Sequence, residues 1–243
     1  VNSKNISSSR TFHFAKGETL LIDKPTDWTS FDIVNKIRWT IRIKKVGHAG
    51  TLDPMATGLL IVCTGKNTKK LNEFQYFDKK YEGTMILGKT TPSFDSETEP
   101  DSETDISHLT KTMLEAVLPQ FRGQISQIPP AYSAVKIKGK PAYLAARKGE
   151  KVKLKPRDIE IKSLEITKIN FPEVQFRVHC SKGTYIRSLV RDIGKVLGVG
   201  AYLSGLRRTH IGEFSVTEAF SIQSFVELAR QQMTEAEQNQ KLS

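Results

Sequence analysis

The chain is poor in cysteine: it has two, Cys63 and Cys180, each inside an apolar stretch. Two are too few for a disulfide framework, and neither stands in a CxxC or Cys/His ligand spacing. A reducing, cytoplasmic setting is therefore expected. His13, His48, His108, His179 and His210 are too scattered to outline a metal site. A glycine-rich phosphate loop is missing as well, and a metal-free protein is expected. No apolar run approaches the ~20 residues that cross a bilayer. The opening VNSKNISSSR also lacks the apolar stretch of a secretory signal, so no membrane association is expected. Internal repeats, strict βαβα alternation and a composition that would mark a linker are absent too.

What is present is charge of one sign. The sequence holds 37 Lys and Arg against 26 Asp and Glu, a formal +11. Excess basicity of this size favours a polyanionic partner, nucleic acid before membrane, because no basic amphipathic helix stands out. The charge is also unevenly placed. Lys136 to Arg157 carries nine bases and one acid, Glu150, whereas FDSETEPDSETD (Phe94 to Asp105) carries six acids and no base. Charge runs of either sign make ordinary hydrated surface. Tyr132 and Tyr143 lie in or beside the basic run, however, and aromatics among bases suit RNA, whose unstacked bases need π faces.

Periodicity gives the elements. ETLLIDKP reads as a short buried strand, followed by a helix capped by Ser30 with Phe31, Val34, Ile37 and Ile41 on one face. GLLIVCTG reads as a central strand, Thr68 caps a short helix, and KKYEGTMILG is a further strand. Ser107 opens a helix with Leu109, Met113, Leu114, Val117 and Leu118. VQFRVHCS alternates, with Val174, Phe176, Val178 and Cys180 inward. Thr184 caps a helix that buries Ile186, Leu189, Val190, Ile193 and Leu197, AYLSGLRRTHIGEFSV supplies further strand, and a last helix starts near Ser221. The class is α+β: a mixed, largely antiparallel sheet flanked by helices. The Pro- and Gly-punctuated run from Gln127 to Pro156, with a helix after Pro141, reads as an excursion from the core.

HAGTLDP, residues 48 to 54, raises the question of function. Asp before Pro is a good cap or turn residue. A glycine on either side of the acid and a buried strand behind it would equally present a carboxylate on a rigid base.

GHAGTLDPMATGLLIVCTG resembles the catalytic motif of the TruB family, the tRNA pseudouridine-55 synthases. KKYEG (79 to 83), KGTYIRSLVRDIG (182 to 194) and GAYLSGLRR (200 to 208) agree with the family in the expected order. LLIDKPTDWTSFDIVNKIR and IPPAYSAVKIKGKPAYLAARKG are similar to it as well. The resemblance implies the pseudouridine synthase fold with a basic, thumb-like insertion. It also implies isomerisation of one uridine in the T loop of tRNA, with neither cofactor nor metal.

By family position Asp53 is the catalytic aspartate, a carboxylic acid with a reference pKa of about 3.9 and hence ionised at neutral pH. Attack at C1′, addition at C6 and removal of the 2′ proton each use one carboxylate and stay open. Arg187 corresponds to the basic partner of that aspartate, Tyr81 to the tyrosine stacking on the target uracil, Tyr185 to a second active-site tyrosine, and Leu206 to an apolar wall. His48 corresponds to the residue that fills or braces the space left by a flipped base. Lys136, Lys138, Lys140, Arg147 and Lys148 fall in the mobile thumb and would meet RNA. Asp95 is given no role beyond a contact.

The organisation expected is a flexible segment 1–17, a catalytic domain 18–220 with the thumb at about 124–157, and a helix or tail 221–243 without a full PUA domain. The partner expected is the T arm of tRNA, and the chain is expected to act as a monomer. The alternative is a non-catalytic tRNA-binding or folding protein on the same scaffold.

Overall fold

Residues 11–242, apart from Lys138 and Lys151, are described by a computed structural model in which the chain divides into two units. One unit comprises the chain up to Phe77 and again from Arg207 onward, and the other runs from Asp78 to Leu206.

In the first unit, β1 (Thr19–Lys24) alternates half-buried and buried residues, with Leu20, Ile22 and Lys24 turned inward. Then follow α1 (Ser30–Ile41), β2 (Val46–Ala49), β3 (Thr57–Thr64) and α2 (Leu71–Tyr76). β3 is buried along nearly its whole length, which explains why its sequence is continuously apolar instead of alternating. It pairs antiparallel with β1 and with β2. The core on one face joins Ile33, Val34, Ile37 and Ile41 to Leu20, Ile22, Leu60 and Val62.

Three expectations are corrected here. Phe31 is 58 % exposed, because the capping box that Thr29 and Asp32 form puts it on the outer side of the first turn, where Arg38 lies over its ring. Thr29, not Ser30, is the cap. The part of segment 1–17 that is described is built into the core: Phe12 and Phe14 stack at 5.3 Å between centroids and meet Phe220 and Phe225 edge-on.

The second unit contains β4 (Lys79–Leu87), a small hairpin of β5 (Lys89–Thr90) and β6 (Ser102–Glu103), α3 (Lys111–Val117) and β7 (Gly123–Gln127). Next come a second small hairpin of β8 (Lys136–Ile137) and β9 (Lys140–Pro141), α4 (Ala142–Ala146), β10 (Arg157–Asn170), β11 (Glu173–Cys180) and α5 (Ile186–Val196). Its sheet runs β4–β11–β10–β7, antiparallel at every step. β11 buries the four inward residues that its alternation predicts. Gln124–Gln127 belong to the sheet, so the excursion proper begins after β7 and ends before β10.

β12 (Ala201–Ile211) contains the division between the units at Leu206 and Arg207, which is why no linker composition marks it. Its second half pairs parallel with β3: Arg207 lies opposite Thr57 and Arg208 opposite Gly58. Past it come β13 (Phe214–Ser215), β14 (Phe220–Ser221), which pairs parallel with β1, and α6 (Ile222–Leu242). The class read from the sequence, α+β with a mixed, mostly antiparallel sheet, is the class observed.

Gly58 lies in β3 between β1 and β12. It lies opposite Lys24 on one side and Arg208 on the other. Its φ is +102°, and a Cβ there would stand 2.3 Å from the Arg208 carbonyl oxygen. Gly58→Ala is expected to cost about 2–5 kcal/mol through combined backbone strain and overpacking, a fall in Tm of roughly 5–15 °C. Gly198 has φ +75° with open space around it, so Gly198→Ala should cost only the strain, about 1 kcal/mol. Equal melting shifts in the two variants would show that close approach of the strands is not what demands glycine at position 58.

Candidate active site

The residues singled out by sequence fall into two sets, one in each unit. In the first, β2 and β3 form a hairpin whose connection, residues 50 to 56, carries Asp53. Three anchors fix that connection. The Ser30 hydroxyl, at the start of α1, accepts from the Leu52 N–H at 2.9 Å and returns a bond to the Leu52 carbonyl at 3.3 Å. The Ala56 N–H donates to the Asp53 carbonyl at 3.1 Å, closing a turn. The Asp27 N–H donates to the Pro54 carbonyl at 2.9 Å.

A fourth anchor is Lys24, whose side chain is fully buried. Its ammonium donates to the carbonyls of Trp28 (2.6 Å), Pro25 (2.8 Å) and Pro54 (3.2 Å). Burial pushes its pKa down to about 8, against the opposing attraction of Asp53 and Asp27. A carboxylate is therefore present in the field of a buried cation, on a loop that this same cation ties down. His48, at the penultimate position of β2, is half-buried, and burial together with the Arg208 charge depresses its pKa. It is held in the neutral form at physiological pH, which suits a space-filling ring better than a phosphate ligand.

In the second unit Arg187 is the second residue of α5 and is 4 % exposed, because the first turn of this helix is buried on almost every side. A buried cation at a helix N-terminus is doubly unfavourable. It is compensated by Asp95, 1 % exposed, whose carboxylate lies 3.2 Å from Nη1, and by bonds to the carbonyls of Ser93 (3.2 Å) and Tyr132 (2.8 Å). The Glu97 N–H donates to the other Asp95 oxygen at 2.9 Å.

Tyr185, the residue before α5, is bracketed by the buried Gln127: its N–H donates to Oε1 at 2.8 Å and its carbonyl accepts from Nε2 at 3.1 Å. Tyr81 sits in β4 opposite Val178 and is buried, and Leu206 is half-buried in β12. Lys136, Lys140, Arg147 and Lys148 are exposed, whereas Lys138 lies outside the described residues. Arg147 has a partner in the acidic segment, since Nη2 is 2.6 Å from a Glu97 carboxylate oxygen. Its guanidinium also lies over the Tyr143 ring.

Sequence reasoning missed Lys24, Ser30 and Gln127. No composition signal marks them, because what matters is the carbonyl or N–H that each one reaches. Among the described residues no His/Cys/Asp/Glu group has the arrangement to hold a metal, and no helix is long and apolar enough to cross a membrane.

Comparison with known proteins places this chain in a class of RNA-modifying enzymes and identifies which. Residues 38–186 match the model of the TruB family pseudouridylate synthase N-terminal domain, and 187–242 that of the tRNA pseudouridylate synthase B C-terminal domain. The chain is 52 % identical over 229 residues to the tRNA pseudouridine synthase B of Phocaeicola vulgatus, covering 92 % of this chain and 97 % of that one. It is 50 % identical to that of Parabacteroides distasonis, over 93 % and 98 % of the respective chains. Among solved structures, a Cbf5-Nop10-Gar1 complex contains a chain that matches at a TM-score of 0.69 and 31 % identity, over 88 % of this chain and 55 % of that one. The chain belongs to the TruB family of pseudouridylate synthases.

Replacing Arg187 leaves the Asp95 carboxylate buried without its guanidinium. Arg187→Met should therefore destabilise the protein by about 3–5 kcal/mol, read as a lower midpoint in urea or thermal unfolding. A midpoint equal to that of the wild type would show that the ion pair is not what holds this helix start.

Proposed function

We propose that this chain converts uridine 55 in the T loop of tRNA to pseudouridine. The N1–C1′ bond breaks, the uracil turns, C5 bonds to C1′, the C5 proton passes to solvent and N1 ends protonated. The observation that carries this reading is the anchoring of Asp53. A turn acid that served only the local fold would not need a hydroxyl, a buried ammonium and a backbone N–H to fix the residues on either side of it.

In this proposal Asp53 is the reacting carboxylate, and Arg187 keeps the basic role that the family resemblance assigns it while its charge faces Asp95. Tyr81 offers a π face to the target base, worth about 1–3 kcal/mol per stacked base. Tyr185 and Leu206 shape the pocket for the base. His48, neutral, occupies or braces the position from which the base is flipped, an event costing a few kcal/mol in unstacking. The three pathways open to one carboxylate are not distinguished by these residues.

Tritium release from 5-tritiated uridine in a T-arm RNA tests the central claim, because C5 loses its hydrogen only if the glycosidic bond is remade there. The wild type should release tritium, and Asp53→Asn should release none above background while still binding the RNA. Tight binding without release by the wild type would instead favour the non-catalytic reading.

The basic excursion is proposed to hold RNA phosphates. Lys136→Ala and Lys140→Ala should raise KM for the RNA with little change in kcat. Each should also flatten the dependence of log affinity on log salt by about 0.7–0.9 for every phosphate that the variant no longer binds. A loss of kcat at unchanged RNA affinity would contradict this role.

A further inference from the structure

The ladder between β2 and β3 runs from Val46–Thr64 to Ala49–Ile61 and stops there. Immediately beyond it one side chain joins the two strands. Arg208 Nε donates to the Leu59 carbonyl at 2.7 Å, and Nη2 donates to the Gly50 carbonyl at 3.1 Å. The side chain is almost completely buried, at 1 % exposure. It reaches both carbonyls from β12, where its backbone lies opposite Gly58 and no side chain intervenes. The two carbonyls are the two ends of the segment that contains Asp53, so a single planar guanidinium closes the neck of that loop.

We infer that Arg208 is a positioning residue for the Asp53 carboxylate, acting by a two-carbonyl grip on the neck of its loop. The inference rests on the reading of Asp53 as the reacting group. A buried arginine is a costly way to fill space, since apolar side chains of similar volume usually serve as well or better. Its benefit here lies in geometry: the guanidinium offers several donors in a fixed fork, which an ammonium does not. Arg208 binds the two carbonyls through separate nitrogens, Nε and Nη2, held in one rigid plane, whereas an ammonium would have to serve both from a single nitrogen on a flexible stem. Lys24 grips the other end of the catalytic stretch at Pro54, so Gly50 and Pro54, on either side of Asp53, are each tied to a different buried cation.

The test uses the whole chain with T-arm RNA, below the melting transition of every variant. Displacing a reacting group by about 1 Å can cost on the order of 100-fold in rate. Arg208→Met is therefore expected to lower kcat about 100-fold with KM and RNA affinity within about threefold, and Arg208→Lys to lower it about 10-fold. A folded Arg208→Met with kcat near wild type overturns the inference. So does a rise in KM at constant kcat, which would make Arg208 part of RNA docking. Should Arg208→Met fail to fold, Arg208→Lys decides: a fall in kcat at unchanged KM supports the grip, and a wild-type kcat overturns it. Asp53→Asn, run in parallel, separates the two levels. If it is active, or the wild type is inactive, the reading of Asp53 itself fails. If it is inactive while Arg208→Met turns over normally, only the grip fails.

Discussion

Two positive charges lie buried on either side of a residue that has no side chain. Lys24 and Arg208 occupy the strands flanking Gly58, and neither forms its hydrogen bonds mainly with carboxylates; both direct their donors to backbone carbonyls. Removing an ammonium or a guanidinium from water is expensive, and a carbonyl dipole replaces only part of that hydration. The depressed pKa of Lys24 records the deficit. Such an arrangement persists only where the surroundings over-determine it: the Pro54 carbonyl also accepts the Asp27 N–H, the Leu59 carbonyl belongs to β3, and only glycine at position 58 lets β3 approach the Arg208 backbone so closely. The consequence is local and chemical, because the region around the HAGTLDP loop carries fixed positive potential and a nearly rigid backbone, the two conditions under which one carboxylate is held in one place.

The second unit solves a related problem differently. Arg187 is buried like Arg208, yet it meets a full negative charge, and it also donates to the carbonyls of Ser93, beside that charge, and of Tyr132. Asp95 is in turn held by the Glu97 N–H, while its own carbonyl accepts from the hydroxyls of Thr91 and Ser93. The acidic run from Phe94 to Asp105 is thus not uniform. Its first acid is a structural counter-ion, Glu97 engages Arg147 at the surface, and the later acids are exposed, Glu103 in β6 and the others in loop.

Much of the fold was legible because burial repeats. Alternation disclosed β11, a continuous apolar run disclosed β3, and the spacing of Val34, Ile37 and Ile41 disclosed α1. β10 escaped: RDIEIKSLEITKIN has charged or polar residues at most of its outward positions, and its bulges break the period. Phe31 and Phe12 were misplaced for a shared reason, since an aromatic reads as core or as tail from its neighbours in sequence, whereas capping geometry and contacts with distant rings decide. At the candidate site, the family resemblance named candidate residues, but the supports around them were not legible. Lysine and arginine in strands look like solvent-facing charges, and only the strand register, which puts both opposite a glycine, turns them inward.

That distinction bears on how charge should be read in this chain. The net +11 favours a polyanionic partner, yet its members do different work. Lys24, Arg187 and Arg208 are buried and hydrogen-bonded within the fold, so they do not serve phosphates. Arg147 is exposed but already faces Glu97, so it would have to exchange one anion for another, a change of small net effect for a solvent-exposed pair. In the proposed function the long-range attraction of an RNA backbone falls to exposed lysines such as Lys136, Lys140 and Lys148, whose flexible stems and compact charges suit delocalised phosphate contacts better than fixed ones. Arginine inside for geometry and lysine outside for field is a division that follows from hydration strength alone, and Lys24 is the exception that shows its cost: an ammonium kept from water gives up its proton at a pH where an exposed lysine would hold it firmly.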